Sequence, residues 1–493
     1  RPQRQATMMK TAHPSQRPAP LSQRTSHLTR RHVLQAALAT GACSLWPRLG
    51  TTETAPAPMP TLTAQAGTAQ LAPAGYAKTA ILGFEGRVPG PTLRARQGRW
   101  LERRVVNRLD MPTSVHWHGV RLENGMDGVS GLTQAPIAPG DSFAYRFPLQ
   151  DAGTFWYHAH HRSYMQVAQG LYGALIVDEP ERPDIDADEA LLIDDWRLDP
   201  ETVQIRADFD NRHDHSHAGR LGNLVTVNGA FTHEGARPQN SRLRLRLINA
   251  ANARVFRLGV QGMSAWVMAL DGMPVAQPWP LNQPIDLAPG QRVDLFADIT
   301  AAPGTQAHLV DIAQNGEGWA LASWTAQTGG TRLPRPAPQP LPENPQMAVP
   351  AIDTARQVQL DMTGGAMGGL REARYQGQML DARSLAMQGK FWAFNGRAGD
   401  MDSPLLRAFQ GETLRLRLHN NTAFAHAMHL HGMHFREVLP NGSTGPMRDT
   451  VLMQRGQTRD IAFVAHSPGK WLLHCHMLGH AAAGMITWIE VLA

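Results

Sequence analysis

Pro91-Thr92-Leu93-Arg94-Ala95-Arg96-Gln97-Gly98 aligns without gaps, at an offset of 313, with Pro404-Leu405-Leu406-Arg407-Ala408-Phe409-Gln410-Gly411. The same offset carries Asn107 onto Asn420, His116 onto His429, His118 onto His431 and Gly119 onto Gly432. A second block, offset by 316, places Gly140 on Gly456, Phe147 on Phe463, Gly153 on Gly469, His158 on His474 and His160 on His476. Self-similarity over such a distance implies two copies of one structural unit. Both copies run in short stretches of alternating apolar and polar residues punctuated by Gly and Pro, the pattern of strands and turns.

Between the copies the same grammar continues without paired histidines. Ser241 to Asn249 alternates as SRLRLRLIN, and Pro289-Gly290-Gln291 before Val293 and Leu295 echoes Pro139-Gly140 of the first copy. At 493 residues the chain exceeds what a single core organises. The expected fold is all-β, with three Greek-key β-sandwich domains at 59–183, 184–330 and 351–493. A leader (1–58) precedes them, and a Pro-rich linker (331–350) enters the third.

The pI of about 9.7 suggests nucleic acid or membrane partners until the charge is located. Residues 1–55 hold eight of the 47 basic residues and one of the 41 acids, which leaves 39 basic and 40 acidic residues beyond. The basicity belongs to the leader, and nucleic-acid binding is not expected. That leader contains Thr29-Arg30-Arg31-His32-Val33-Leu34, then an apolar run through Leu45 too short to span a bilayer. It resembles a twin-arginine export signal, so the expectation is export of a folded protein to the periplasm by that machinery, with no stable membrane insertion. Of the two cysteines, Cys43 lies in the leader, where Thr40-Gly41-Ala42 poorly matches a lipid-attachment signal. Cys475 is left as the single thiol of the mature chain, so no internal disulfide is available.

Ten of the 22 histidines fall in four windows: His116-Trp117-His118-Gly119; His158-Ala159-His160; His426-Ala427-Met428-His429-Leu430-His431-Gly432; and His474-Cys475-His476 with His480. Four His-x-His pairs are hard to explain by packing. On a strand each pair presents two imidazoles on one face and the middle residue on the other. His474 and His476 can therefore serve one metal centre while Cys475 faces a second, a short covalent path joining them. His426, Cys475 and His480 with Met485 have the composition of a blue-copper electron-transfer site, His₂Cys with an axial thioether. The first copy has Ala159 where the second has Cys475, so one electron-entry site is expected. The remaining eight imidazoles are too many for one copper but suit three. They come pairwise from the first and last domains, which must therefore touch.

These windows, in order and spacing, resemble those of the three-domain multicopper oxidases, the family of laccases, ascorbate oxidase and bacterial cuprous oxidases. The resemblance covers essentially the whole chain beyond the leader and implies cupredoxin-like domains. It further implies four copper ions. Cys475, His426 and His480, with Met485 axial, would bind type 1; His116 and His429, type 2; His118, His158 and His476 one type 3 ion; and His160, His431 and His474 the other. One-electron oxidation of a reducing substrate would be coupled to four-electron reduction of O2 to water. Asp127, nine residues beyond His118, matches the family's carboxylate near type 2, with a role in proton delivery. Where several bacterial relatives carry a glutamate after the second type 1 histidine, this chain has Ala481. The alternative reading, a periplasmic copper-binding or copper-tolerance protein with little turnover, is opposed by the filling of every ligand position; a copper nitrite reductase is opposed by eight cluster histidines.

The donor is less legible. Met362, Met367, Met379, Met387 and Met401 precede the last ligand block, and thioethers select Cu(I), although methionines also fill cores. A phenol or aromatic amine is the competing donor. His213-Asp214-His215-Ser216-His217 reads as a solvated loop. His161, His434 and His466 fall outside the ligand positions and read as residues around the ligands or as structural. A monomer is the working expectation for the oligomeric state.

Overall fold

The strand Arg242–Asn249 runs through the middle of the chain and every residue on it is buried. Leu243, Leu245 and Leu247 enter the core of their own sandwich, as alternation requires. The opposite face carries Arg244 and Arg246, each 1% exposed, and it meets acids instead of water. Arg244 binds Glu179 and Asp294, while Arg246 binds Asp188 and the Thr154 hydroxyl. The polar half of the alternation is thus a seam with the preceding domain.

The computed structural model describes residues 59–493 apart from 314, 330–332, 346, 348 and 349. The leader, with Arg30-Arg31 and Cys43, lies outside the described residues. Three two-sheet sandwiches follow in chain order. In the first, the strands Thr79–Phe84, Thr61–Ala69, Trp100–Asn107 and Ser142–Pro148 form one sheet, and Leu93–Arg96, Tyr172–Asp178, Gly153–Ala159 and Val115–His118 the other. The second pairs a six-stranded with a five-stranded sheet between Ala187 and Gln327, and the third does the same between Arg356 and Leu492. The fold class is all-β, as the repeat predicted.

The repeat also sets strand boundaries. Trp100–Asn107 corresponds to Thr413–Asn420, and Gly153–Ala159 to Gly469–Cys475, at the offsets of the sequence alignment. Each copy closes its sandwich with the same buried asparagine. The Asn107 amide donates to the carbonyls of Met111 and Ile137, Asn420 to those of Phe424, Met453 and Gln454, and Asn249 to those of Arg254 and Leu287. In all three the side-chain oxygen accepts an N–H two residues on. Asn249 therefore marks the middle domain as a third copy. The first and last domains share one hydrophobic cluster, from Leu62 to Val491, so they touch as expected.

Two further segments differ from a reading by composition. The Pro-rich connection is packed: Leu341 is buried with Met268 and Phe296, and the Asn344 side chain bridges both the N–H and the carbonyl of Ala152. The histidine window expected as a solvated loop instead contains the helix Arg212–Ser216. Asn211 caps it by accepting from the amides of His213 and Asp214. Asp214 pairs with Arg197 at 2.6 and 3.0 Å, and His215 is buried. A polar five-residue window has no apolar periodicity, so its burial comes from partners distant in sequence. No helix among the described residues is long and apolar enough to cross a membrane.

Replacing Asn249 with Ala would strand buried carbonyls and an amide at the sandwich closure. A loss of about 3 kcal/mol is expected from unmade buried hydrogen bonds, read as a lowered urea midpoint in the fluorescence of the middle domain's Trp324.

Candidate metal centre

The first-domain ligands sit on two paired strands. Val115–His118 and Gly153–Ala159 are antiparallel, with His116 opposite His158. In the last domain His426–Leu430 pairs with Gly469–Cys475, with His429 opposite His474 and Met428 opposite Cys475. Directly opposed residues share a face. His429 and His474 therefore point to one side and Cys475 to the other, where His426 lies two residues from Met428.

The structure brings the predicted residues together in four groups. His116, His118 and His429 form one trio, His118, His158 and His476 a second, and His160, His431 and His474 a third; in each, one ring nitrogen per residue lies within 4.8 Å of the others. His426, Cys475 and His480 form the fourth. In that group the Nδ1 atoms of the two histidines are 3.2 Å apart and stand 3.7 and 3.8 Å from Cys475 Sγ. Their outer nitrogens are occupied, His426 Nε2 by the Thr422 hydroxyl and His480 Nε2 by the His217 carbonyl, each at 2.8 Å. Met485 is fully buried beside them, its carbonyl accepting from the Cys475 amide.

The partners of the buried nitrogens show how the donor set fits a metal. Nε2 of His116, His158, His160, His429 and His476, and Nδ1 of His118, are buried without a hydrogen-bond partner. Several of the other ring nitrogens are fixed: His116 Nδ1 at the Asp127 carbonyl (2.8 Å), His429 Nδ1 at the Asp449 carbonyl (3.0 Å) and His474 Nδ1 at the Cys475 carbonyl (2.9 Å). Orphaned polar atoms of this kind are rare in folded proteins. Here they converge, and on His116, His118, His158 and His429 the opposite nitrogen is fixed by a hydrogen bond, as metal-binding imidazoles require. Burial drives His474 and His480 down to about 3, His118, His158, His160, His426, His431 and His476 well below their ordinary range and His429 below it, so these rings are neutral and ready to coordinate. Burial pushes the Cys475 thiol up to about 12, so metal binding there must displace a proton.

Asp127 is 1% exposed and joins two trios, its carboxylate lying 2.9 Å from His431 Nδ1 and 3.2 Å from His116 Nδ1. A second carboxylate escaped sequence reasoning. Asp449, fully buried, reaches His118 Nε2 at 3.2 Å and His429 Nδ1 at 3.5 Å. Burial would raise its pKa, but Arg292, at 2.9 and 2.7 Å, and the neighbouring histidines hold it well below the carboxylate range. Nothing local in Arg448-Asp449-Thr450 marks it, and Arg292 comes from the domain without ligands. His434 stands 3.7 Å from Asp449, whereas His161 and His466 join none of the groups.

Two family models, each described as Multicopper oxidase, match residues 65–182 and 374–493. The multicopper oxidase MmcO of Mycobacterium tuberculosis is 31% identical over 437 residues, covering 83% of this chain and 82% of its own. This chain belongs to the multicopper oxidase family. Among solved structures, the multicopper oxidase of Pseudomonas thermotolerans superposes with a TM-score of 0.76 at 32% identity, covering 88% of this chain and 98% of that one. Lac15, from a marine microbial metagenome, gives 0.70 at 39% identity and covers 88% and 100%. The multicopper oxidase described here is a copper oxidoreductase that couples oxidation of a reducing substrate to reduction of O2.

The middle domain enters the multicopper oxidase centre at Gly290, whose φ of +83° and lack of a side chain let its backbone approach the rings. A Cβ there would stand 2.9 Å from His476 and 3.0 Å from His118. Gly290→Val is expected to displace both rings. Copper content should fall while the blue absorption of the Cys475 site persists, as read by metal analysis beside the visible spectrum.

Proposed function

We propose that Cys475, His426 and His480, with the buried Met485, would hold the type 1 copper that accepts electrons. His116 and His429 hold type 2, His118, His158 and His476 one type 3 ion, and His160, His431 and His474 the other. The observation that carries this is the strand end His474-Cys475-His476, whose middle residue belongs to one group of ligands and whose flanking residues belong to two others. Copper supplies one-electron storage at the first site and, at the cluster, four-electron reduction of O2 to water. The chain's own contribution is to hold neutral imidazoles in fixed tautomers, to keep water from the entry site, and to join the sites by the backbone of residues 474–476.

Asp127 is assigned to proton delivery, because its buried carboxylate spans His116 and His431, one from each of two trios. Ala481, whose methyl group carries no ionisable proton, supplies none on that side. The electron donor is read as a phenol or aromatic amine. A Cu(I) donor is favoured by one observation: Met367, Met379 and Met387 are 84%, 61% and 74% exposed, an unusual fate for thioethers. Met362, fully buried, is core. Export by the twin-arginine route to the periplasm rests on the leader sequence, and the protein is read as a monomer.

Cys475→Ser is expected to remove the blue band and O2 consumption together; normal turnover in that variant would sink the assignment. Asp127→Asn should retain the blue band yet slow O2 consumption by about a hundredfold or more, the usual worth of a positioned proton donor. Oxygen-electrode rates at matched copper content separate the two effects.

A further inference from the structure

The entry histidine is covered. His480 has no exposed surface, and its Nε2–H, which points away from Cys475, donates to the His217 carbonyl at 2.8 Å. On its flank the Trp392 ring lies 4.6 Å away, and the Trp392 indole N–H donates to the His215 carbonyl at 2.5 Å. The covering segment is tied down at several points. Asp214 binds Arg197, the Ser216 carbonyl accepts from the Ala366 amide at 2.7 Å, and His215 packs on Gly479. Its outer side carries π-surface. The His217 ring stacks on His213 at 3.8 Å with an interplanar angle of 11°, and Phe424 lies 5.6 Å away. His213 is exposed and His217 half-buried.

We propose that the helix Arg212–Ser216 together with His217 is a fixed cap over the electron-entry histidine, and that an aromatic reductant docks on the outer face of this cap, against His217, instead of on the edge of His480. The inference rests on the assignment of His480 to the type 1 site. A stacked pair of imidazoles beside a phenyl ring suits a flat, electron-rich ring through offset stacking. One electron leaves the docked phenol and crosses the His217 peptide and its hydrogen bond to reach the metal held by His480. The phenol's proton goes to solvent. No bond of the protein is made or broken. The middle domain, which supplies no copper ligand, thereby supplies the recognition surface for the donor.

The test uses the copper-loaded enzyme and diethyl pyrocarbonate, which modifies imidazole nitrogens that solvent can reach, with the modified histidines located by mass spectrometry. Under anaerobic conditions His213 and His217 should be labelled in the unaltered enzyme, and saturating guaiacol should protect both. In parallel, anaerobic bleaching of the blue band by guaiacol is followed by stopped flow. His217→Ala should leave the band and its reduction potential unchanged and slow bleaching by about fivefold, the rate equivalent of one lost stacking contact. Labelling of His213 and His217 that guaiacol does not slow, or bleaching in His217→Ala within about twofold of the unaltered rate, overturns the docking face. If His217→Ala does not fold, the labelling of the unaltered enzyme still decides. Absence of a blue band in the copper-loaded, unaltered protein would instead strike at the assignment of the site itself.

Discussion

The guanidinium of Arg292 is the point on which the three domains meet. All five of its N–H groups are used: Nε at the Thr154 carbonyl of the first domain, Nη1 and Nη2 at the Gly290 and Asp271 carbonyls of its own, and both again at the Asp449 carboxylate of the third. Asp271 in turn binds Arg448 and the Asp449 and Thr450 amides. A buried charge pair of this kind adds little net stability, but losing one partner leaves the other stranded in a dry interior. Its value here is geometric. It fixes Asp449, and Asp449 fixes the orientation of His118 and His429.

Around that pair the cluster solves a problem of burial. Eight imidazoles meet at the seam between the first and last domains, with His116 stacked on His431 at 3.8 Å and His118 on His429 at 3.7 Å. Removing so many polar rings from water is unfavourable unless each nitrogen finds a partner. The carbonyls of Asp127, Asp449, Ala159 and Cys475 and two carboxylates satisfy one nitrogen on each of six rings. The inner ones are left for copper, so metal binding and domain docking draw on the same atoms.

The repeat made most of this legible. His-x-His on paired strands, Ala159 against Cys475 and the closing asparagines are local patterns with fixed spacing, and those patterns carry the fold and the eight imidazoles of the three trios. What sequence could not reveal comes from chance meetings across domains. Asp449 and Arg292 sit in ordinary strand ends and acquire meaning from being 157 residues apart and in contact. The 213–217 window was misread for the same reason: its neighbours Arg197, Trp392 and His480 are remote, and a hydrophilic sequence looks solvated until one sees what it covers.

The division of ligands between two ends of the chain also imposes an order on synthesis. His116, His118, His158 and His160 leave the ribosome long before His429, His431, His474 and His476, and Arg292 emerges between them. During that interval the first domain holds half of the imidazoles, and every trio lacks at least one of its members. The packed connection across Ala152 then brings the last domain down onto that face. A complete set of ligands therefore exists only once the last domain has been made and docked.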